Sequence, residues 1–403
     1  MTYNFDERVE RRGTDCLKWD AVGQIYGPFI QDRDPSDILP LWVADMDIKP
    51  PREIAEAVEA RAAHNVYGYT KQPDDLPKIV QDWVRRHYHL EIETSDFVFC
   101  PGIVPAIGVA LRANFKPGDG VIILSPVYGP FAKTIQQNEM EVQSVPLIND
   151  GERWSIDWEA LEAAVKENTR CLLFCSPHNP VGRIWNREEL EKMADFVKRH
   201  DLLLISDEIH ADFQYDGHEL ISPATLPEMA ERTITCFAPS KTFSVAGLMA
   251  SAIIISEPEL REKFKTELAR SGLHGNLFGY LAMRAAWLHG EEWLRQLLVY
   301  LQDNRDYLLS EIEKLKAHGI SAIKPESTYL LFLDCRKLMA QRGWKTQAEL
   351  MTFMLSEAGI CPNSGTEYGP EGEGYVRLNF GCPRSILEEA MTRLREALER
   401  SEK

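Results

Sequence analysis

The sequence predicts an α/β protein, with a large domain on a mainly parallel sheet covered by helices and a smaller α+β domain. Three observations predict it. From about residue 97 a strand, a loop and a helix alternate repeatedly. The strands are continuous apolar runs such as GVIILS, CLLFC and LLLIS, as in sheets buried on both faces. After about residue 290 the texture changes to long helices with few strands between them.

Taken in order, residues 1–50 carry Gly13, Gly23, Gly27, Pro28 and Pro35 and read as an irregular arm that joins the smaller domain. Residues 51–290 form the large domain. It opens on a helix, PREIAEAVEARAAH, with Pro51 suited to the first helical position. A turn-rich loop, YGYTKQPDDLP, leads to a second amphipathic helix, KIVQDWVRRHY. Then FVFC precedes PGIVPAIGVALRANF, GVIILS precedes PVYGPFAKTIQQN, and EVQSVPLI follows. CLLFC leads into SPHNPVGRIW and the helix REELEKMADFVKRH; LLLIS, ITCF and SAIIIS are the remaining strands. Residues 291–403 form the smaller domain: a long helix, the strand TYLLFLD, a helix around AELMTFMLSEAG, a glycine-rich segment and a C-terminal helix.

A chain of 403 residues can bury roughly three-quarters of its unfolded surface. No apolar run approaches the roughly 20 residues that a membrane helix needs. The charged start, MTYNFDERVERRGTD, has no apolar signal core. A formal charge of −17 argues against a broad surface for nucleic acid or anionic membranes. The eight cysteines include no CxxC pair, and Cys100, Cys171, Cys175 and Cys236 lie in apolar runs. Buried free thiols in a reducing, cytoplasmic compartment are expected.

The chemistry centres on Lys241. It follows the buried strand ITCF after Ala238-Pro239-Ser240. A lysine at a strand's end beside a pocket is desolvated, which lowers its pKa and makes its amine a nucleophile. Taken alone it also reads as a surface loop lysine. The polar residues Gly102, Tyr128, Asn179, Asp207 and His210 each lie at or just beyond an apolar strand as well. In parallel sheets that is where ligands bind.

WVADMD (42–47), YGYT (67–70), PGIVPAI (101–107), SPVYGPF (125–131), SPHNPVGRIW (176–185), SDEIHADF (206–213), APSKTF (238–243) and VRLNFG (376–381) occur in that order. The set resembles the pyridoxal-phosphate enzymes of the aspartate-aminotransferase fold, fold type I, and more closely their cystathionine β-lyase-like C–S lyase branch. The resemblance covers nearly the whole chain. It implies pyridoxal 5'-phosphate as cofactor, carried on Lys241, and an amino-acid substrate.

Further roles follow from the resemblance. Asp207 is the acid partner of the ring nitrogen, although a turn-capping aspartate fits the same spacing. Asn179 donates to the ring's phenolic oxygen, a role compatible with an Asn-Pro turn. His210, where many aminotransferases have tyrosine, is a second partner of that oxygen or a plain loop histidine. For Asp207 and His210 both to touch the ring, the chain must turn between them. Tyr128 stacks on the ring, or is a core tyrosine. Gly102, Ile103 and Val104 open a helix whose N–H groups suit a phosphate, with Ser240 as a hydroxyl donor. Arg377 holds the substrate's carboxylate, and Trp42 and Asp45 shape the substrate entrance. Two positions depart from the family: Ala238 and Met249 stand where it often has a hydroxyl and an arginine. Phosphate binding then leans on backbone amides and on catalytic Tyr67, sent from a second subunit. A homodimer with shared sites is the implied assembly.

Two reactions fit this cofactor: β-elimination of sulfur amino acids, favoured by SDEIH and by Met249, and amino-group transfer. A different class is a metal-dependent hydrolase on Asp207, Glu208, His210, Asp212 and His178, which no HExxH-like spacing supports. A third is a cofactor-binding scaffold without turnover, against which Lys241, Asp207 and Arg377 argue. No P-loop, GxGxxG or GxSxG pattern occurs.

Overall fold

Val22, Tyr26 and Ile30 recur at every fourth residue, and in the computed structural model, which describes residues 2–400, they form the buried face of helix α1 (Val22–Ile30). The expectation of a wholly irregular arm is corrected here. Burial of that stripe outweighs Gly23, Gly27 and Pro28, and Pro28 sits near the end, where its missing N–H costs one bond. Helix α2 (Arg52–Ala63) starts one residue later than the sequence suggests, with Pro51 as its N-cap. Helix α3 (Leu76–Tyr88) buries Leu76, Val80, Trp83, Val84 and Tyr88 at helical spacing.

The apolar runs become one seven-stranded sheet: β1 (Phe97–Cys100), β2 (Gly120–Ser125), β3 (Glu141–Pro146), β4 (Thr169–Cys175), β5 (Leu203–Asp207), β6 (Thr233–Phe237) and β7 (Ser251–Ile254), in the order β1-β7-β6-β5-β4-β2-β3. The block β6 to β3 is parallel, and β7 runs antiparallel to both its neighbours. Every residue of β2 and β6 is buried, as continuous apolar runs require. Helices α4 (Ile103–Asn114), α5 (Arg187–Arg199) and the single turn α6 (Pro239–Thr242) follow β1, β4 and β6. A capping box, Asn186 with Glu189, starts α5. In register, Cys175, Asp207 and Cys236 lie side by side, so the loops after β4, β5 and β6 leave the sheet at one level.

The C-terminal part carries helix α7 (Glu291–Lys314) and an antiparallel sheet of β8 (Ser321–Ala322), β9 (Leu330–Asp334), β10 (Asn363–Ser364) and β11 (Tyr375–Asn379), ordered β8-β9-β11-β10. Leu39–Pro40 pairs in parallel with Ile360–Cys361, and the Asn379 N–H donates to the Leu41 carbonyl. The chain from 39 to 47 is thereby stitched to the C-terminal sheet beside the carboxyl ends of the large one. Among the described residues, no helix is long and apolar enough to cross a membrane.

Candidate active site

A cavity of about 250 Å³ opens beyond β4, β5 and β6. Asp207 closes β5 and points into it, with Oδ1 accepting the Ile209 N–H at 3.1 Å. The chain then turns, through Ala211 N–H to the Glu208 carbonyl and Phe213 N–H to the His210 carbonyl. That turn brings His210 onto the same wall as Asp207. Glu208 between them faces away, accepting from Ser206 Oγ (2.8 Å) and Ser222 Oγ (2.9 Å).

Lys241 sits on α6, one turn after β6, and its Nζ donates to the Ala44 carbonyl at 2.7 Å. Tyr329 Oη donates to the same carbonyl at 2.8 Å. Asn179, Tyr128, Ser240 and the helix start Gly102-Ile103-Val104 complete the expected lining. The first turn of α4 carries N–H groups without intrahelical partners, the kind of helix start that suits an anion. Ala238 and Met249 line the cavity too, and among the described residues Lys241 is the one Lys or Arg on its wall.

Arg377, on β11, stands behind Asn179 rather than on the cavity wall. Its Nη1 donates to Asn179 Oδ1 at 3.2 Å, its Nη2 donates to the Trp42 carbonyl at 2.6 Å, and its guanidinium lies 5.1 Å over the Tyr368 ring. Its buried Nε has no partner. Trp42 is itself buried, its indole N–H bonded to the Lys18 carbonyl. Asp45 faces Arg11 at 2.8 Å. Tyr67 is not brought to the cavity: it is 58% exposed, with its hydroxyl donating to the Ala62 carbonyl.

The electrostatics follow from burial. The Asp207 carboxyl is pushed up to about 7 by desolvation, against the Ile209 N–H and Lys241. The Lys241 amine is pulled down to about 8 by desolvation, with Arg377 adding to the shift and Asp45 and Asp207 opposing it. His210 is held neutral by burial, helped by Lys241 and Arg377, and its buried Nδ1 has no partner. Burial also raises Tyr128. A ring carrying a basic nitrogen, a phenolic oxygen, an aldehyde and a phosphate fits this set. Asp207 offers a buried carboxyl, Asn179 and His210 offer unused polar atoms, Lys241 offers an amine, and α4 offers amides.

The structure sets aside the hydrolase reading by geometry. Glu208 serves two serines, Asp212 takes Tyr88 and Thr242, and His178 Nε2 contacts the Pro126 carbonyl at 2.9 Å. Among the described residues no three His, Cys, Asp or Glu side chains are placed to hold a metal ion.

Sequence reasoning missed Ala44, Tyr329 and a buried ion cluster. Lys18, fully buried, pairs with Asp47 at 2.7 Å, and Arg11 bridges Asp47 (2.6 Å) and Asp45. Two aspartates inside the apolar WVADMD stretch were the available signal, since buried carboxylates need partners.

The parallel sheet, with a lysine, an aspartate, an amide and a helix start around one cavity, defines a class of cofactor-dependent enzyme. The chain belongs to the family Aminotransferase class I and II, whose model matches residues 36–394, and its fold is the aspartate-aminotransferase fold. Within it, the chain is 38% identical to cystathionine beta-lyase PatB of Bacillus subtilis (strain 168), over 98% of this chain and 100% of that protein. Protein MalY of Escherichia coli (strain K12) is 32% identical, over 98% and 99%. Among solved structures, cystalysin from Treponema denticola, which contains a pyridoxal 5'-phosphate cofactor, superposes with a TM-score of 0.92 at 35% identity, over 99% of this chain and 100% of that one. The PLP-bound C–S lyase from Staphylococcus hominis gives 0.89 at 30%, over 98% and 99%.

Proposed function

We propose that this protein is a pyridoxal-phosphate-dependent carbon–sulfur β-lyase, acting on sulfur amino acids. Water and the substrate are converted to a thiol, pyruvate and ammonia. One observation carries the reading: Lys241, Asp207, Asn179 and His210 converge on one cavity in a chain that matches cystathionine β-lyase and C–S lyase relatives end to end.

When bound, pyridoxal phosphate supplies a conjugated ring that takes up the electron pair left at the substrate's Cα. The chain's residues do the rest. Asp207 would present its carboxyl group to the ring nitrogen. Asn179, its oxygen held by Arg377, keeps its amide N–H groups free to donate to the ring's phenolic oxygen. The amides of Gly102, Ile103 and Val104 and the hydroxyl of Ser240 would hold the phosphate. The Lys241 amine, pulled down to about 8, is neutral in about one molecule in ten at pH 7, far more often than an ordinary lysine near 10.4. This amine would hold the cofactor and, when free, would take the proton from the substrate's Cα. The Ala44 carbonyl then holds the protonated amine in place. Arg377, behind Asn179, would have to turn a nitrogen from Asn179 or the Trp42 carbonyl to the substrate's α-carboxylate, beside Trp42 and Asp45. Loss of a thiolate from the substrate's Cβ would complete the elimination.

The wider reading has residues 51–290 as the cofactor-binding domain and 291–403, joined by the 1–50 arm, as the smaller one. Tyr67 and exposed Tyr69 support a homodimer in which YGYT serves a second copy's cavity. Eight unpaired cysteines fit a cytoplasmic protein.

With cystathionine or a cysteine S-conjugate, the purified protein should release thiol, pyruvate and ammonia with no keto acid added. Fast glutamate formation from aspartate or an aromatic amino acid plus 2-oxoglutarate, without thiol release from any sulfur substrate, makes it an aminotransferase instead.

A further inference from the structure

We infer that Asp212 is a positioning residue for Lys241, acting through the hydroxyl of Thr242. Asp212 is buried and uses both carboxylate oxygens. Oδ1 accepts from the Tyr88 hydroxyl and Oδ2 accepts from Thr242 Oγ1 at 2.6 Å. Tyr88 also receives the Trp83 indole N–H at 3.3 Å, and its ring stacks on Phe237, the last residue of β6, with centroids 4.9 Å apart. One carboxylate therefore joins helix α3, the loop after β5 and the turn α6.

The turn needs such a joint. Helix α6 has four residues, too few to hold its own geometry, and its main-chain bonds are Phe243 N–H to the Pro239 carbonyl and Val245 N–H to the Ser240 carbonyl. Thr242 follows Lys241 directly and is fully buried on the side away from the cavity. Asp207, His210 and Asp212 share one loop: the first two line the cavity, and the third reaches behind it to the lysine's neighbour. The bond fixes the distance between the groups that face the ring and the amine that reacts. A reacting group misplaced by about 1 Å loses on the order of a hundredfold in rate, so a joint of this kind acts on turnover more than on binding.

This inference rests on Lys241 being the reactive amine, and the experiment separates the two. Borohydride treatment of the wild-type holoenzyme, with the modified peptide identified by mass spectrometry, comes first. Label on another lysine overturns the reading of Lys241 and the inference with it. With label on Lys241, Thr242→Val holoenzyme should lose at least tenfold in kcat while KM stays within about threefold. Its cofactor band in visible circular dichroism should shrink or change sign. Thr242→Ser, which keeps the hydroxyl, should restore both. Thr242→Ala serves the same purpose if the valine protein does not accumulate. A hydroxyl-free variant with wild-type kcat and dichroism overturns the inference alone, as does a loss that serine fails to rescue.

Discussion

Arg377 Nη1 stands 3.2 Å from Asn179 Oδ1, tying strand β11 of the C-terminal sheet to the loop after β4 of the large one. The bond spends the amide's acceptor and leaves its N–H groups for the cavity. Arg377 also spends a second nitrogen on the Trp42 carbonyl, so its planar fork spans two loops at once.

Arg377→Lys should therefore raise KM for the amino-acid substrate by at least tenfold, about 1.4 kcal/mol. A lysine has one nitrogen and cannot hold both loops and a carboxylate. Steady-state kinetics of the variant check this, and an unchanged KM removes Arg377 from substrate binding.

The Lys241 amine, pulled down to about 8 by burial, sets how the chain combines with its cofactor. Only the neutral amine attacks an aldehyde. Its neutral fraction grows tenfold per pH unit below about 8 and levels off above, where an ordinary lysine levels off near 10.4. Stopped-flow mixing of apoprotein with pyridoxal phosphate should show a rate that rises and then flattens past a midpoint near pH 8. A rate that keeps climbing beyond about pH 10 contradicts the shift.

Glu208 offers a test of sign. Desolvation raises its carboxyl to about 8, against the Ser206 and Ser222 hydroxyls. The folded chain keeps this proton at a pH where the unfolded chain, with a carboxyl near 4.3, has lost it. Stability from this group is therefore full below about pH 4.3 and falls by up to roughly 1.4 kcal/mol per unit until about pH 8. Glu208→Gln should flatten that fall. Chemical denaturation of both proteins at pH 5 and pH 8 gives the difference, and parallel slopes would show that Glu208 ionises normally.

Tyr67 tests the assembly. Mixing inactive Tyr67→Ala with inactive Lys241→Ala subunits should restore one working site in each hybrid dimer. Recovery in isolated hybrids, measured as pyruvate formed per dimer, is the expected outcome. Verified hybrids with no recovery would confine Tyr67 to its own chain.

Much of the site was legible because a parallel sheet concentrates ligands at its strand ends. Asp207, Asn179 and Lys241 each follow an apolar run, and their order alone brought them together. The helix Val22–Ile30 was less legible, since its spacing of buried residues competed with glycine and proline. Least legible were Ala44 and the partners of Asp47. The Lys241–Ala44 bond joins residues 197 apart, and the Lys18–Asp47 pair joins residues 29 apart, through contacts that no local period records. Arg377 was found by its motif, but its position behind Asn179 was not, because that depends on how two sheets meet.

The acceptors at Trp42 and Ala44 are main-chain oxygens, and this has a consequence for inheritance. Side chains there can change while both oxygens persist, so an alanine scan of 42–45 would pass over them. What can be lost is their placement, which Tyr329 supports by a direct bond to the Ala44 oxygen and Lys18, Asp47, Arg11 and Asn379 support through the flanking chain. Substitutions that damage these two contacts are therefore expected at positions far from Lys241 in sequence, among them Arg11, Lys18, Asp47, Tyr329 and Asn379.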